Sequence, residues 1–433
     1  MDTRSLGTQN DYTILHPALE IYDYLACVSF RRKKIVKGKI TESDLHIIST
    51  EGNIISTSSN QANLNLSTIV FEEKFLPSET VYIDQLIVWA ESPKQPDAQL
   101  LYEALKDCLK AYLELPNCSY GLMAAWIIGT YFNRAFPCFP YLSALGPKET
   151  GKSNTLECLQ YLCFNAVKTK LTSAALGDTA DSLRGTILID QAHNLEGELK
   201  EILVDSYKKG GGKRRIVDIS NKGRHTIEFD CYCPKAFASL NPLPDDLADR
   251  TFTINMAPAG RIYPSPSASK RDWKQMRTDM VKLILTAYRE VFELVEDLSE
   301  TEGNRFGELW LPIVVILKLV KADQEEVDEI KEYCERQFSQ VRYELSEWDY
   351  ELVSIVVEWS EDDITSEQLL DDLRLRISDV LEERKPGKQW LGKAVKRLGL
   401  VLEKKGGKHK KTVYALNKEQ ASKLLGGSGD SLG

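Results

Sequence analysis

The sequence predicts an α/β fold with a central parallel β-sheet, a β-rich region before it and helices after it. Three observations support this prediction. The motif G-P-K-E-T-G-K-S at 146–153 follows a short apolar run and precedes a helix-like run. A second apolar run ends in Asp190, and a third is followed by Asn241. Apolar runs of this length, alternating with helix-like segments, are typical of strands that are buried on both faces.

The chain has 433 residues, of which 42% are hydrophobic. This length suggests two to four domains with sizeable cores. Shifts in composition and periodicity predict six segments: a β-rich N-terminal domain (1–95), a helical connector (96–135), the α/β core (136–270), a helical lid or linker (271–350), a basic C-terminal domain (351–420) and a flexible tail (421–433).

The first segment shows strand-like alternation. Residues 45–49 and 53–57 alternate around a Thr-Glu-Gly turn, and the apolar run 81–89 predicts a further strand. The basic residues between Arg31 and Lys39 fit either contact with a partner or a lysine-rich edge strand kept soluble by its charge.

The motif at 146–153 has the spacing of a phosphate-binding loop. Its glycines let successive backbone N–H groups face phosphate oxygens, and the helix that follows adds its positive N-terminal dipole. Lys152 is expected to reach the β- and γ-phosphates of ATP, and Ser153 to bind Mg²⁺. The predicted nucleotide contacts are Gly146, Pro147, Lys148, Glu149, Thr150, Gly151, Lys152, Ser153 and Asn154.

Asp190 ends the apolar run 185–190 and is the expected second Mg²⁺ ligand. The next residue, Gln191, stands where many ATPases carry the glutamate that polarises water. An amide can hold a water molecule but cannot accept its proton. Either the chain is a hydrolysis-blocked ATPase, or it is a natural nucleotide-gated switch. His193 is a conceivable substitute base, or a surface residue.

Two further residues complete the predicted catalytic set of Lys152, Gln191, Asn241 and Arg250. Asn241 follows a buried strand, where it can sense the γ-phosphate and orient water. Arg250 precedes the strand-like run 251–256. Its planar cation suits the γ-phosphate bound to a neighbouring subunit, and the alternative is a local ion pair with Asp246 or Asp249.

A basic hairpin is predicted between the strands that end in Asp190 and Asn241. Asn-Lys-Gly at 221–223 separates two alternating runs, which is favourable turn chemistry. The hairpin is either a solvated surface feature or a DNA-binding element; ring-shaped DNA translocases place a strand-gripping loop here. Its predicted DNA contacts are Lys213, Arg214, Lys222 and Arg224.

A second basic region, 384–411, follows the order helix, helix, strand, turn, strand, with helices at 365–380 and 388–398. This order predicts a winged helix. The lysine density favours binding to nucleic acid, although winged helices also bind proteins. The predicted DNA contacts are Lys388, Lys393, Lys396, Arg397 and Lys408.

The remaining composition narrows the class of protein. The net charge of −9 argues against a nucleic-acid coat protein. Nine scattered cysteines predict reduced core thiols in a cytoplasmic protein. Neither a signal peptide nor a membrane-spanning run is recognisable, so no membrane partner is expected.

Together these motifs resemble an AAA+ ATPase family of plasmids, phages and chromosomal cassettes. The resemblance covers about residues 100–320 and is closest in architecture to MCM-like, self-loading replicative helicases. It implies an ATP-driven hexameric ring acting on DNA, with a primase or initiator as a possible partner. Arg305 would supply a second phosphate sensor, or simply cap or pair within its helix.

The predicted function is therefore an ATP- and Mg²⁺-dependent helicase or translocase, with single-stranded DNA in the pore and duplex DNA on the winged helix. Two other classes stay open. One is an initiator or loader that assembles on DNA with ATP but does not travel, and the other is an ATPase scaffold for protein partners.

Overall fold

The computed structural model describes residues 13–15, 20–22, 25–36, 39–49, 54–56, 69–71, 81–169, 172–192, 195, 197–220, 223–267, 271–299, 304–343, 347–377, 386–406 and 412–426. The chain divides into two compact units, residues 1–335 and 336–433.

The described parts of the first 80 residues are β-strands. They are β1 (Thr13–Leu15), β2 (Glu20–Tyr22), β3 (Leu25–Val36), β4 (Lys39–Ser49), β5 (Ile54–Ser56) and β6 (Ile69–Phe71). Strands β2, β3, β4 and β5 form an antiparallel sheet in that order, and β1 pairs in parallel with β6.

The strand predicted over 81–89 is wrong, because these residues form helix α1 (Ile83–Ala90). Its buried side chains are Ile83, Leu86 and Ala90, which repeat with helical spacing. A short apolar run fits a strand or a buried helix equally well until its packing partner is known.

Two helices lead into the core: α2 (Ala98–Lys110) and α3 (Asn117–Tyr131), followed by a 3-10 turn at Asn133–Ala135. Helix α3 is buried almost all round, and Trp126 donates a hydrogen bond to the Pro140 carbonyl at 2.8 Å. No helix in the described ranges is long and apolar enough to cross a membrane.

The core is a five-stranded parallel sheet, which agrees with the predicted central parallel sheet. Its strands are β7 (Tyr141–Leu145), β8 (Val167–Lys168), β9 (Ile187–Asp190), β12 (Lys235–Ser239) and β13 (Thr251–Asn255), in the order β13-β7-β12-β9-β8. Strands β7, β9 and β12 are buried with no alternation, as helices on both faces require.

The register of this sheet brings the functional ends together. Ser239 lies opposite Leu145, and Ala238 lies opposite Asp190. The residues that follow β7, β9 and β12 therefore share the carboxyl edge of the sheet, while Tyr141 and Thr251 lie at its amino edge.

The connections between these strands are helical, except for one hairpin. They comprise α4 (Lys152–Leu162), α5 (Ser173–Leu183), α6 (Gly197–Asp205), the hairpin β10 (Arg214–Ser220) and β11 (Gly223–Phe229), and α7 (Asp245–Ala248). Helices α8 (Trp273–Ser299), α9 (Arg305–Leu319) and α10 (Gln324–Tyr343) follow the core.

The second unit combines helices with a small antiparallel sheet. Its elements are α11 (Glu347–Glu358), β14 (Asp363–Thr365), α12 (Ser366–Ile377), α13 (Lys388–Arg397), β15 (Val401–Gly406), β16 (Thr412–Leu416) and α14 (Lys418–Gly426). The strand order is β14-β16-β15. The unit has its own buried cluster, which includes Leu352, Leu369 and Leu391. The predicted boundary between the helical lid or linker and the basic C-terminal domain, at residue 350, lies within α11.

Candidate functional site

The motif at 146–153 forms the loop between β7 and α4. A Cβ on Gly146 would lie 2.4 Å from the Met256 backbone oxygen, so the loop begins against the end of β13. Glu149 and Gly151 have φ values of 65° and 89°. A left-handed φ at a non-glycine residue is strained and is common at functional sites. Alternating backbone of this kind turns N–H groups toward one side, which suits an anion.

Lys152 begins α4 and lies back over the loop. Its Nζ donates to the Gly146 carbonyl at 2.6 Å and also contacts the Pro147 carbonyl. Burial lowers the pKa of Lys152, and the charge of Asp190 acts in the opposite direction. The ammonium is therefore held over the loop by backbone carbonyls, which phosphate oxygens can replace.

The two predicted metal ligands are the exposed Ser153, in the first turn of α4, and Asp190, at the end of β9. A hydroxyl and a carboxylate are hard oxygen donors of the kind that Mg²⁺ takes in phosphate sites. Asp190 has a partner that the sequence did not predict, because its Oδ2 lies 3.0 Å from Lys168 Nζ.

Gln191 directly follows β9, is exposed and has a φ of 61°. Asn241 is also exposed, and its backbone carbonyl accepts a hydrogen bond from Ser239 Oγ at 2.5 Å. Both residues therefore lie at the carboxyl edge of the sheet with Asp190. His193 lies outside the described residues.

A cleft of about 580 Å³ adjoins the phosphate loop. The loop and the first turn of α4 form one wall, through Lys148, Glu149, Thr150, Gly151 and Asn154. The other walls are Tyr112–Glu114 and the segment Pro258–Tyr263, for which the sequence predicted no role in binding. The Gly260 N–H donates to Glu114 at 3.0 Å and ties these two walls together.

Arg250 lies at the opposite, amino edge of the sheet, where its carbonyl accepts from the Tyr141 N–H at 2.9 Å. The length of β7 separates it from the phosphate loop, roughly 13 Å at about 3.3 Å per residue. Its guanidinium donates to the Asp246 backbone carbonyl, while the Asp246 carboxylate pairs with Lys200 at 3.0 Å. Of the two alternative local ion pairs, with Asp246 or with Asp249, the one with Asp246 is therefore not formed.

Tyr207 organises the cations at this edge. The Arg250 Cζ lies 5.3 Å and the Arg305 Cζ 4.9 Å from its ring centroid, and Arg305 also donates to its hydroxyl. Lys208 lies 5.4 Å from the same ring and pairs with Glu308 at 2.7 Å. Arg305 also lies 3.7 Å from Glu308, which fits the alternative that it pairs within its own helix. It lies beside Arg250 and not beside its own phosphate loop.

The hairpin β10/β11 contains several of the predicted DNA contacts. Arg215 pairs with Glu228 at 2.7 Å, Lys213 contacts the same carboxylate, and Arg214 lies 3.8 Å from Glu198. Hydrogen bonds from Lys213 and Arg215 hold the pKa of Glu228 below its usual value. The Lys222 residue and the Arg224 side chain lie outside the described part of the chain.

The buried Lys235 fixes the root of this hairpin. Its Nζ donates to the carbonyls of Cys231, Cys233 and Ser206 at 2.9, 3.1 and 3.4 Å. It joins the end of the hairpin to the segment that precedes Tyr207. Burial raises the pKa of the Cys231 thiol to about 11, so Cys231 is not a reactive thiolate.

In the second unit, two of the predicted DNA contacts are ion-paired. Arg397 bonds the buried Asp349 at 2.7 Å, and Lys388 pairs with Glu367 at 3.2 Å. Lys393 and Lys396 are exposed on α13, whereas Lys408 lies outside the described residues.

The cysteines at 108, 118, 138, 158, 163, 231, 233 and 334 are free thiols. The described residues contain no His, Cys, Asp and Glu cluster that could hold a metal ion.

No protein-family model matches the chain, and no curated protein gives a significant match. Among solved structures, an active SCCmec type IV Cch helicase covers 88% of this chain and 78% of its own at 12% identity and a TM-score of 0.42. A full-length MCM homolog from Methanopyrus kandleri covers 73% and 78% at 12% identity and a TM-score of 0.36. The Thermotoga maritima RuvB Holliday junction branch migration motor covers 71% and 94% at 13% identity and a TM-score of 0.23. All three likenesses are distant.

Proposed function

We propose that this chain binds ATP with Mg²⁺ at the loop 146–153 and is an ATP-driven, ring-forming DNA helicase or translocase. The observation that carries the proposal is the convergence of Lys152, Ser153, Asp190 and Asn241 at one edge of the parallel sheet. Ligands bind outside the carboxyl ends of the strands in open α/β sheets of this kind.

The residues fit the nucleotide and the metal chemically. Lys152 and the N–H groups of the loop would hold the phosphates, and Ser153 with Asp190 would hold the ion. The cleft between the loop and the segment Pro258–Tyr263 has the volume and the mixture of aromatic, apolar and charged walls that suit a nucleoside. When bound, Mg²⁺ would neutralise the negative charge that develops on the phosphates.

Hydrolysis by this chain is proposed to be slow. Gln191 and Asn241 can orient water, but neither accepts its proton at neutral pH. A Gln191→Glu protein would regain a base at the position next to Asp190.

Assembly is proposed because Arg250 and Arg305 lie at the edge opposite the phosphate loop. In a ring, the surface of one subunit that carries the arginines would meet the surface of its neighbour that carries the phosphate loop. The two guanidiniums held by Tyr207 would then reach the phosphates bound by the next copy. We propose that the ring is a hexamer, because the motifs of this chain resemble those of an AAA+ ATPase family that forms hexamers.

DNA binding is assigned to two places. The hairpin β10/β11, with Lys213, Arg214, Lys222 and Arg224, would follow a single strand in the pore. The second unit is interpreted as a winged helix that contacts duplex DNA through Lys388, Lys393, Lys396, Arg397 and Lys408. On the same resemblance, the protein would replicate a mobile element beside a primase or initiator.

Gln191 favours a second candidate function. A chain that binds ATP and hydrolyses it slowly would act as a DNA-binding switch, such as an initiator or loader that stays at its site.

Strand displacement separates these functions. The Gln191→Glu protein is incubated with a forked DNA duplex, ATP and Mg²⁺, and release of the labelled strand is followed. A helicase releases the strand in an ATP-dependent manner, whereas a switch only binds the fork. The same protein with Lys222→Ala and Arg224→Ala should lose single-strand affinity and displacement, and the matched control is Lys318→Ala with Lys331→Ala on α9 and α10. Unchanged affinity in the hairpin variant would favour a scaffold for proteins.

A further inference from the structure

Lys168 lies on the outermost strand of the parallel sheet and faces Asp190, one of the two proposed Mg²⁺ ligands. Strand β8 is the edge strand beside β9, and Lys168 lies opposite Leu188. Because side chains alternate along a strand, Leu188 and Asp190 share a face, and Lys168 shares it with them. The Lys168 Nζ lies 3.0 Å from Asp190 Oδ2, and the two side chains are 32% and 38% exposed.

A partly exposed ion pair of this kind contributes little to folding stability. The position of the ion pair, however, matters for the binding of Mg²⁺. Lys168 neutralises the carboxylate of Asp190, which is one of the two proposed Mg²⁺ ligands. A metal ion held by that oxygen would lie close to the ammonium, so the two cations would compete for Asp190.

The same carboxylate also repels a triphosphate that arrives without a metal. Asp190 lies close enough to Lys152 to influence the pKa of that lysine, so it also lies close to the expected phosphates. An ammonium on Asp190 masks this repulsion. Lys168 has a flexible four-carbon stem, which lets its charge leave the carboxylate when a divalent ion takes its place.

We propose that Lys168 is an exchangeable counter-ion of Asp190, which permits nucleotide to bind before Mg²⁺ and would release the carboxylate when Asp190 helps to hold Mg²⁺. This inference rests on the proposed function, because it concerns how the same site is loaded. Lys168 acts through Asp190 and is therefore a positioning residue.

The test measures the dissociation constant of a fluorescent, non-hydrolysable ATP analogue twice, once in EDTA and once in excess Mg²⁺. Lys168→Met removes the charge and keeps an unbranched side chain that is one atom shorter. In EDTA its Kd should rise about three- to tenfold, because a bare carboxylate now faces the phosphates. In Mg²⁺ its Kd should equal that of the unsubstituted protein or fall below it. The ratio of the two constants therefore increases.

Three controls make the result specific. Lys168→Arg keeps the charge and should keep the ratio, and Lys331→Met removes an exposed ammonium of α10 and should also keep it. Lys168→Gln gives a second neutral side chain if Lys168→Met lowers the thermal stability.

The outcomes separate the two proposals. An equal loss of affinity in EDTA and in Mg²⁺ would mean that Lys168 attracts phosphate only by its general charge, and it would overturn the counter-ion proposal. An unchanged ratio with unchanged affinities would overturn it as well. If the unsubstituted protein binds the analogue in neither buffer, the proposed nucleotide site itself is refuted, and the role of Lys168 falls with it.

Discussion

Gly146→Ala tests whether close packing against the neighbouring strand fixes the phosphate loop. A Cβ on Gly146 would lie 2.4 Å from the Met256 oxygen and 3.0 Å from the Thr150 hydroxyl. An ordinary carbon contact needs about 3.5 Å, so the loop or the strand must move by about 1 Å. Met256 cannot simply withdraw, because its N–H donates to the Leu145 carbonyl at 2.7 Å.

This movement should affect both stability and binding. Overpacking of this size costs about 1–3 kcal/mol. At about 2–4 °C per kcal/mol, the Tm of the protein should fall by about 2–12 °C. A loop displaced by about 1 Å no longer aligns its N–H groups with phosphate, so affinity for an ATP analogue should fall at least about tenfold.

The measurements are thermal unfolding and fluorescence titration with the analogue. Gly387→Ala is the matched control, since nothing lies within 4 Å of a Cβ at Gly387 and its φ is −106°. Gly387 is the N-cap of α13, so its alanine variant should lower the Tm by no more than about 2–4 °C and should leave the nucleotide affinity unchanged. A Gly146→Ala protein with the Tm and nucleotide affinity of the unsubstituted chain would refute the packing argument.

Three other substitutions test the hairpin of the first unit and the ion-paired arginine of the second unit. Lys235→Met leaves three buried carbonyls without their donor, so unfolding in urea should show a loss of about 2–4 kcal/mol, and no loss would contradict the proposed anchor. Glu228→Gln frees two hairpin cations, so single-stranded DNA should bind more tightly, with a steeper salt dependence by fluorescence anisotropy; an unchanged salt slope would place these cations away from DNA. Arg397→Ala removes a partner of the buried Asp349, so calorimetry should show a loss of about 1 kcal/mol that Lys393→Ala does not share; equal Tm values for the two variants would contradict a structural role for Arg397.

Local pattern was sufficient to predict the strands and helices closest to the site. The glycine and lysine spacing at 146–153 is typical of one kind of loop. The short apolar runs before Asp190 and Asn241 are typical of buried strands. The parallel sheet then follows, because strands connected by helices on both faces must run in the same direction. The error at 81–89 has the opposite cause, since a short apolar run has no preferred period.

The contacts around the site could not be predicted because they join residues that are far apart in the sequence. The pair of Lys168 and Asp190 depends on the edge position of β8, which no local pattern specifies. The ring of Tyr207 collects Arg250 and Arg305 from separate elements. In the second unit, Arg397 was predicted from its charge as a DNA contact, whereas its acidic partner Asp349 lies on α11, 48 residues earlier in the chain.

The most direct measurement is ATP turnover by the Gln191→Glu protein and by the unsubstituted protein, each with and without single-stranded DNA. We expect the Gln191→Glu protein to hydrolyse ATP faster when DNA is present, and the chain with Gln191 to bind nucleotide with little turnover. Lys152→Ala in the Gln191→Glu protein is the control and should abolish turnover. If both proteins are equally inert with DNA present, the motor function is contradicted, and a nucleotide-gated DNA-binding switch becomes the better explanation.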